Sequence, residues 1–482
     1  MSNRNLNELL ALDISQIATL IRTRKLSPVE IVEATLARIE ELAPKTNAFI
    51  TVTAGEALRA AQEAEQEILR GRYRGRLHGI PIPLKDNIET KGLRTTAGSK
   101  ILADCVPTND ADIVLALRRA GAVITGKTNL HEFAYGITNE NPHYGAARNP
   151  WDAECISGGS SGGSAIAVAT GMGFASAGTD TGGSIRIPAS LCGIVGLKPT
   201  FGRVSVRGVI PLSPSLDHAG PLTRSVRDAA LMLEILSDRR RAFRSPFGVK
   251  KRRAGGLKNL MIGWPRNYFF DRVDEEIQAA VEGAMRLFEK SGARVVEIEL
   301  PQVAEQGDAG TQIALAEARH YHESKGYFPA RAKDFGDDVR SRLEQGASVR
   351  AIDYLKALEI RERAAADFDA VIGRADVIVA PATPITAPRV GQNTVIIRGE
   401  EETVRSALVR ISRPANVSGN PAISIPCGWT KSGLPIGLQF IGKHWDEARL
   451  LQVADGASKE LSSRVQIGIR RSLKSAAARP GD

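Results

Sequence analysis

Cysteine is scarce: the chain has four in 482 residues, Cys105, Cys155, Cys192 and Cys427. So few in so long a chain make no disulfide framework, and the absence of a CxxC pair leaves no zinc-site signature. No stretch approaches the ~20 consecutive apolar residues of a membrane span. The longest weakly polar one, residues 164–178, is built largely from Gly, Ala and Ser. The N-terminal MSNRNLNELLALDIS has no charged segment leading into a long apolar one, so no secretory signal is expected and a reducing cytoplasm is the expected compartment. The glycine-rich centre lacks the Gly-Lys-Ser/Thr ending of a phosphate loop, and the chain lacks the HExxH metal motif; His131-Glu132 has no second histidine at the required spacing.

What is present is an ordinary globular composition, 43 % hydrophobic and 24 % charged, enough for a large core. The net charge of +10 is concentrated. Residues 239–253 hold eight basic side chains and no acid, and residues 464–482 hold five basic side chains and one acid. The remainder is near neutral, which argues against nucleic-acid binding by the body of the protein. Residues 464–482 are expected to be a disordered tail, and 239–256 a basic surface loop within a single domain spanning 1–463.

Periodicity gives an α/β rhythm. Ile14, Ile17 and Ile21 share a helix face. Ser27-Pro28-Val29-Glu30 is a capping box with proline at the first helical position, and the helix after it turns Val32, Leu36 and Ile39 inward. Residues 79–84 read as a buried strand. Residues 110–120 read as a helix stopped by Gly121 before a strand over 122–125, and 274–291 as a helix stopped by Gly292 before a strand over 294–300. Strands are also expected over 377–380, 422–426 and 436–441. The expected fold is α/β: one large domain with a mixed, twisted sheet flanked by helices, and no internal repeat.

Residues 157–202, SGGSSGGSAIAVATGMGFASAGTDTGGSIRIPASLCGIVGLKPTFG, carry the chemical signal. A flexible linker would not alternate glycine with Ala, Val and Ile or end in a strand-like run. A phosphate cradle would need a lysine after Gly162-Gly163-Ser164. A catalytic serine loop remains: glycines let the backbone approach a substrate closely and expose several N–H groups that can hold an oxyanion. Ser184, closing Thr181-Gly182-Gly183-Ser184, sits where a nucleophile would. It needs a base. None of the seven histidines has a Ser-His-Asp context, and His320 and His322 fall on different helix faces, a poor metal site. Lys85, at the end of an apolar stretch in GIPIPLKDNI, is the alternative, because burial lowers a lysine's pKa.

These segments, together with CGIVGLKPT and NPAISIPCG…GLPIGLQFIG, resemble the amidase signature family of serine hydrolases, in the same order and over residues 15–460. The resemblance implies Lys85 as base, Ser160 as a bridging serine preceded by a cis peptide bond, and Ser184 as nucleophile. It implies an oxyanion hole from the backbone N–H groups of Thr181, Gly182, Gly183 and Ser184. Neutral Lys85 would draw a proton from Ser160, and Ser160 from Ser184, which attacks the amide carbonyl; water then releases the acid from the acyl-enzyme. No metal or organic cofactor is implied. The expected partner is a small-molecule amide, with neither membrane nor nucleic acid; a homo-oligomer is compatible.

Other residues have plainer readings. Ser161 and Ser164 are expected to bond locally at a helix start. Asp180 can orient the glycine turn or cap the segment after it, and Arg186 can pair with a carboxylate of substrate or protein. Cys155, Cys192 and Cys427 read as small buried hydrophobes. The family includes stand-alone amidases and the catalytic subunit of the tRNA-dependent amidotransferase. GKTNLHEFAYG and RVSVRGVIPLSPSLDHAGPL are similar to the subunit, but its SSNLARYDGVRYG-like substrate segment is replaced here by EARHYHESKGYFPARAKDFGDDVRSRLEQGA. A stand-alone amidase is therefore the expectation and the amidotransferase the alternative; an inactive scaffold would have lost Lys85, Ser160 or Ser184. Substrate contacts are expected from Phe133, Tyr135 and Gly136, then from 214–218 and 310–345. A Phe- and Tyr-lined pocket would favour an apolar or aryl acyl group.

Overall fold

The computed structural model describes residues 6–237, 242–247 and 256–465. Eleven strands make the main sheet: β1 Phe49–Val52, β2 Pro81–Lys85, β3 Val123–Thr128, β4 Ala175–Asp180, β5 Val195–Lys198, β6 His218–Thr223, β7 Met261–Pro265, β8 Arg294–Ile298, β9 Val377–Pro381, β10 Ala422–Trp429 and β11 Pro435–Ile441. Their order across the sheet is β1-β3-β2-β4-β6-β5-β10-β11-β9-β7-β8. β3, β2 and β4 run parallel, as do β9, β7 and β8; the intervening pairs are antiparallel. The sheet is thus mixed, within one α/β domain.

The central strands read as short apolar runs because of their cover. β2, β4, β5, β6, β9 and β11 are buried along their whole length, which requires helices on both faces. The edge strand β8 has only exposed and half-buried residues instead. The expected capping box is present at the helix Pro28–Thr46: Ser27 Oγ accepts from the Val29 amide, and Glu30 takes the Ser27 amide. Val32 and Ile39 are buried there, whereas Leu36 is half-buried. Ile14, Ile17 and Ile21 are buried on the helix Ile14–Arg22. Gly121 and Gly292 come after the helices Asp112–Arg119 and Glu275–Lys290 with φ of +78° and +91°, a region costly for residues with a Cβ.

β4 and two long helices are among the elements that lie outside the sequence expectation. β4 emerges from the glycine-rich centre. The helices Val303–Ser324 and Ala351–Ile372 pack on each other through Ala309, Ile313, Ala357 and Ala364. The basic segment 239–256 falls mostly outside the described residues; within its placed part, Phe243 is buried in the main core and Arg227 stacks on Phe247. Of the tail, only Arg464 and Val465 are described, and the Val465 carbonyl accepts from Trp429 Nε1 at 2.9 Å. No described helix is long and apolar enough to cross a membrane.

Candidate active site

β2 and β4 are parallel neighbours, and both end at one place. Ligands of open α/β sheets gather outside such carboxyl ends. The register pairs Leu84 with Ala177, so Lys85 at the end of β2 comes beside Thr179 near the end of β4. Lys85 is fully buried, with Nζ 2.7 Å from Ser160 Oγ and 2.7 Å from Thr179 Oγ1. Burial pushes its pKa down to about 7, against the opposing pull of the Asp180 and Asp217 charges. Among the described residues two other lysines are equally buried, but Lys127 is held by the Ile88 carbonyl and Asp86, and Lys198 by the carbonyls of Pro199 and Asn420. Of the three, Lys85 is the one in contact with a serine hydroxyl.

The Gly159–Ser160 peptide is cis. Ser161 and Ser164 are local bonders: Ser161 Oγ donates to the Thr179 carbonyl, and Ser164 Oγ lies 2.7 Å from Thr128 Oγ1. Gly163, second residue of the helix Gly162–Ala169, lies against another backbone segment; a Cβ there would stand 2.3 Å from the Ala48 carbonyl oxygen. The two serine loops are tied together, because the Ser161 amide donates to the Ser184 carbonyl.

Ser184 comes after β4 across the turn 181–183. Gly183 has φ +125°, and a Cβ on it would stand 2.2 Å from Ser412 Oγ, so glycine is required twice over. Ser184 is 4 % exposed, and its hydroxyl has no protein hydrogen-bond partner among the described residues. The structure therefore joins Lys85 to Ser160 and leaves the Ser184 hydroxyl open to the cleft. The amides around it divide. That of Gly183 donates to Asp180 Oδ1 at 2.7 Å, so the implied four-donor oxyanion hole has one donor already engaged. Those of Thr181, Gly182 and Ser184 meet no protein acceptor among the described residues.

Asp180 both orients the turn and bonds the next segment. Besides Gly183, it accepts from the Ile185 amide and Asn416 Nδ2, and it meets Arg186 through two parallel contacts of 3.0 Å. Burial works against its charge, but Arg186 outweighs burial and holds the carboxyl well below the usual range. Arg186 is fully buried and also donates to the Ser412 carbonyl, Gln439 Oε1 and Asn416 Oδ1. Arg186 is thus a structural partner of Asp180, not a free cation. Arg186→Met leaves the Asp180 carboxylate buried without its counter-charge, and a destabilisation of about 3–5 kcal/mol is expected in urea denaturation. A change below about 1 kcal/mol would contradict this assignment.

Asp217, which has no motif of its own in the sequence, supports the turn from the other side. It accepts from Thr181 Oγ1 at 2.6 Å and from the amides of Leu212 and Ser213. Burial pushes it up to about 6 against these donors. Its position in the PLSPSLDHAG segment is the one sequence signal that points to it.

The cleft above Ser184 is lined by Tyr135, Gly136, Ile137, Leu212, Arg405 and Arg413, among others. Tyr135 and Gly136 stand at the cleft, as expected. Gly136 packs flat on His131, and a Cβ would fall 2.1 Å from its ring. Phe133 does not line the cleft; it is 1 % exposed and packs against His322 at 4.4 Å and Phe335 at 5.6 Å. His320 is exposed and His322 buried, on one helix but not one face. From 214–218, His218 is buried with Nδ1 2.7 Å from the Leu216 carbonyl; from 310–345, Ala314 reaches the cleft. Arg405 and Arg413 have no counterpart in the sequence expectation. They make one wall cationic where an apolar or aryl pocket was expected.

The sequence model of the family described as Amidase matches residues 30–451. The chain belongs to the amidase signature family. It is an amide-cleaving hydrolase of that family. Among curated relatives, the A-subunit of glutamyl-tRNA(Gln) amidotransferase from Geotalea daltonii is 40 % identical over 475 residues, 93 % of this chain and 96 % of the relative. The crystal structure of an amidase superposes with a TM-score of 0.86 at 34 % identity, covering 93 % of this chain and 100 % of that one. The glutamyl-tRNA(Gln) amidotransferase A-subunit of Thermotoga maritima superposes at 0.77 with 32 % identity, covering 95 % and 96 %.

Proposed function

We propose that this amidase hydrolyses a carboxylic amide through an acyl-enzyme formed on Ser184. The observation that carries the reading is the buried contact of Lys85 with Ser160, beside a nucleophile whose hydroxyl faces the cleft. With its pKa near 7, Lys85 is substantially neutral at physiological pH. It takes the Ser160 proton as Ser160 takes that of Ser184. The Ser184 oxygen bonds to the carbonyl carbon, and the oxyanion is held by the amides of Thr181, Gly182 and Ser184. Collapse breaks the carbon–nitrogen bond, and the relayed proton leaves with ammonia or an amine. Water repeats the sequence on the ester, giving the acid and restoring Ser184.

A second reading has the same chemistry in another setting: the ammonia-generating subunit of a tRNA-dependent amidotransferase. The names of the curated relatives and their near-complete coverage support it. Two observations support a stand-alone enzyme instead. The superposition on an amidase is closer than on the Thermotoga maritima amidotransferase protein, and the divergent stretch 317–347 packs at the cleft, where Arg342 donates to the Tyr135 carbonyl.

The deciding experiment is ammonia release by the purified chain from aliphatic, aryl and amino-acid amides, glutamine included. Turnover of simple amides without any partner is the expected result. Turnover of glutamine alone, raised by partner subunits and charged tRNA, would establish the amidotransferase reading.

A further inference from the structure

The cleft that holds Ser184 carries charge the protein does not neutralise. Among the described residues, five arginines line the cleft and its two flanking cavities. Arg342 is paired with Asp338 at 2.6 Å, Arg410 with Glu402 at 3.3 Å, and Arg272 with Glu400 and Glu402 at 3.5 and 3.6 Å. Arg405 and Arg413 form no ion pair with a carboxylate among the described residues. Both are half-buried. Among the described residues the Arg413 side chain donates only to Thr311 Oγ1, and Arg405 lies over the Tyr135 ring, 5.8 Å from its centroid. A half-buried guanidinium without a counter-charge is costly, so natural structures pair such groups or reserve them for ligand.

Their placement is specific. Arg405 comes from the first turn of the helix Val404–Arg410, and Arg413 from the segment after it. Arg405 borders the Ser184 cleft and two larger cavities of about 450 and 470 Å³ that flank it. Arg413 borders the cleft and the first of these, and stands close enough to Gly182 that a Cβ there would be 3.4 Å from its Nε. The buried Tyr135 hydroxyl has no partner among the described residues. No carboxylate lines the cleft itself among the described residues. Behind its lining, Asp217 is taken by Thr181 and the amides of Leu212 and Ser213, and Asp180 by Arg186; the flanking cavities hold Asp308 on one side and Glu140 and Asp338 on the other, with Asp338 taken by His131 and Arg342. Burial and the charges of Arg342 and Arg413 push Arg405 down from the guanidinium range, the mark of uncompensated positive charge.

We propose that Arg405 and Arg413 are specificity determinants that bind a carboxylate on the acyl side of the substrate, so that the preferred substrate is the monoamide of a dicarboxylic acid bearing no ammonium group. Guanidinium forks match carboxylates in geometry as well as charge. The absence of an acid in the cleft sets such a substrate apart from an amino-acid amide such as glutamine, whose ammonium would meet two cations. The inference rests on Ser184 being the nucleophile, because it places the carboxylate relative to that hydroxyl.

The test uses the full chain and two readouts. In the first, kcat/KM is measured for the monoamides of malonic, succinic, glutaric and adipic acid, for the neutral amides of the same lengths, and for glutamine. At least one monoamide is expected to exceed its neutral counterpart and glutamine by about tenfold or more, and the preference should shrink as salt rises. In the second, calorimetry follows binding of that monoamide to Ser184→Ala, where no turnover is needed. The same selectivity is expected, with loss of about tenfold or more in Arg405→Gln/Arg413→Gln and retention in Arg405→Lys/Arg413→Lys. Equal binding of the neutral amide, or an unchanged preference in a folded double glutamine variant, overturns the inference. Hydrolysis without preference overturns it while leaving the hydrolase reading intact. Selective binding without hydrolysis of any amide does the reverse.

Discussion

Ser184→Ala is expected to lower kcat/KM for any amide the enzyme turns over by at least about a thousandfold, with no change in fold. The side chain is small, 4 % exposed and without a protein hydrogen bond among the described residues, so its oxygen contributes little to stability. Its removal takes away the atom that bonds to the substrate while sparing the amides of Thr181 and Gly182. A residual rate from oxyanion stabilisation alone is therefore anticipated. Adding Ser160→Ala to this variant should cost little more, because residues acting as one relay are not additive. Progress curves on a stable amide, with circular dichroism of the same samples, check both statements. Turnover within about tenfold of the parent enzyme would remove Ser184 from the mechanism.

Lys85→Met should be almost as damaging to rate, and it separates chemistry from stability. If neutral Lys85 is the base, kcat/KM in the parent enzyme falls about tenfold for each pH unit below about 7 and levels off above it. A profile flat from about pH 5 to 9 would contradict a lysine base. The stability effect has a defined sign. Folding lowers the lysine from 10.5 to about 7, so between those values the unfolded chain binds the extra proton. The burial cost is full below about pH 7 and is relieved as pH rises towards 10.5, at about 1.4 kcal/mol per unit. Parent and variant unfolding, compared from about pH 6 to 10, should thus show the parent gaining stability relative to Lys85→Met. Lys127 and Lys198 are buried in both proteins, so their contributions cancel in the difference.

How far the sequence reaches depends on whether a feature is local. The capping box at Ser27, the stops at Gly121 and Gly292, and the strand ending in Lys85 are encoded within a few neighbouring residues, and the structure has each of them. β4 is hidden in the sequence because its residues, ASAGTD, are small and lack β-branched bulk except for Thr179; total burial between β2 and β6 makes them a strand. The helix Ala351–Ile372 buries only Ala357, Ala364, Phe368 and Ile372, too thin a stripe to announce itself. Motifs mark Lys85, Ser160 and Ser184, but not that Asp180 engages the Gly183 amide, since that bond depends on the turn closing. Arg405 and Arg413 sit more than two hundred residues after Ser184 in unremarkable context; only the fold brings them to the cleft. Phe133 shows the converse: beside two cleft residues in sequence, its positive φ of 49° turns it into a core cluster instead.

The Arg186 network also sets a timetable. Lys85, Ser160 and Ser184 all precede residue 185, yet Arg186, which steadies the turn through Asp180, finds Ser412, Asn416 and Gln439 at separations of 226, 230 and 253 residues. At about 5–20 residues per second, a ribosome takes roughly 10–50 s to deliver the last of them. During that interval the nascent chain holds every proposed reactive group without the brace that keeps the nucleophile's turn in place. The turn that carries Ser184 therefore gains its full Arg186 brace only when synthesis is nearly done.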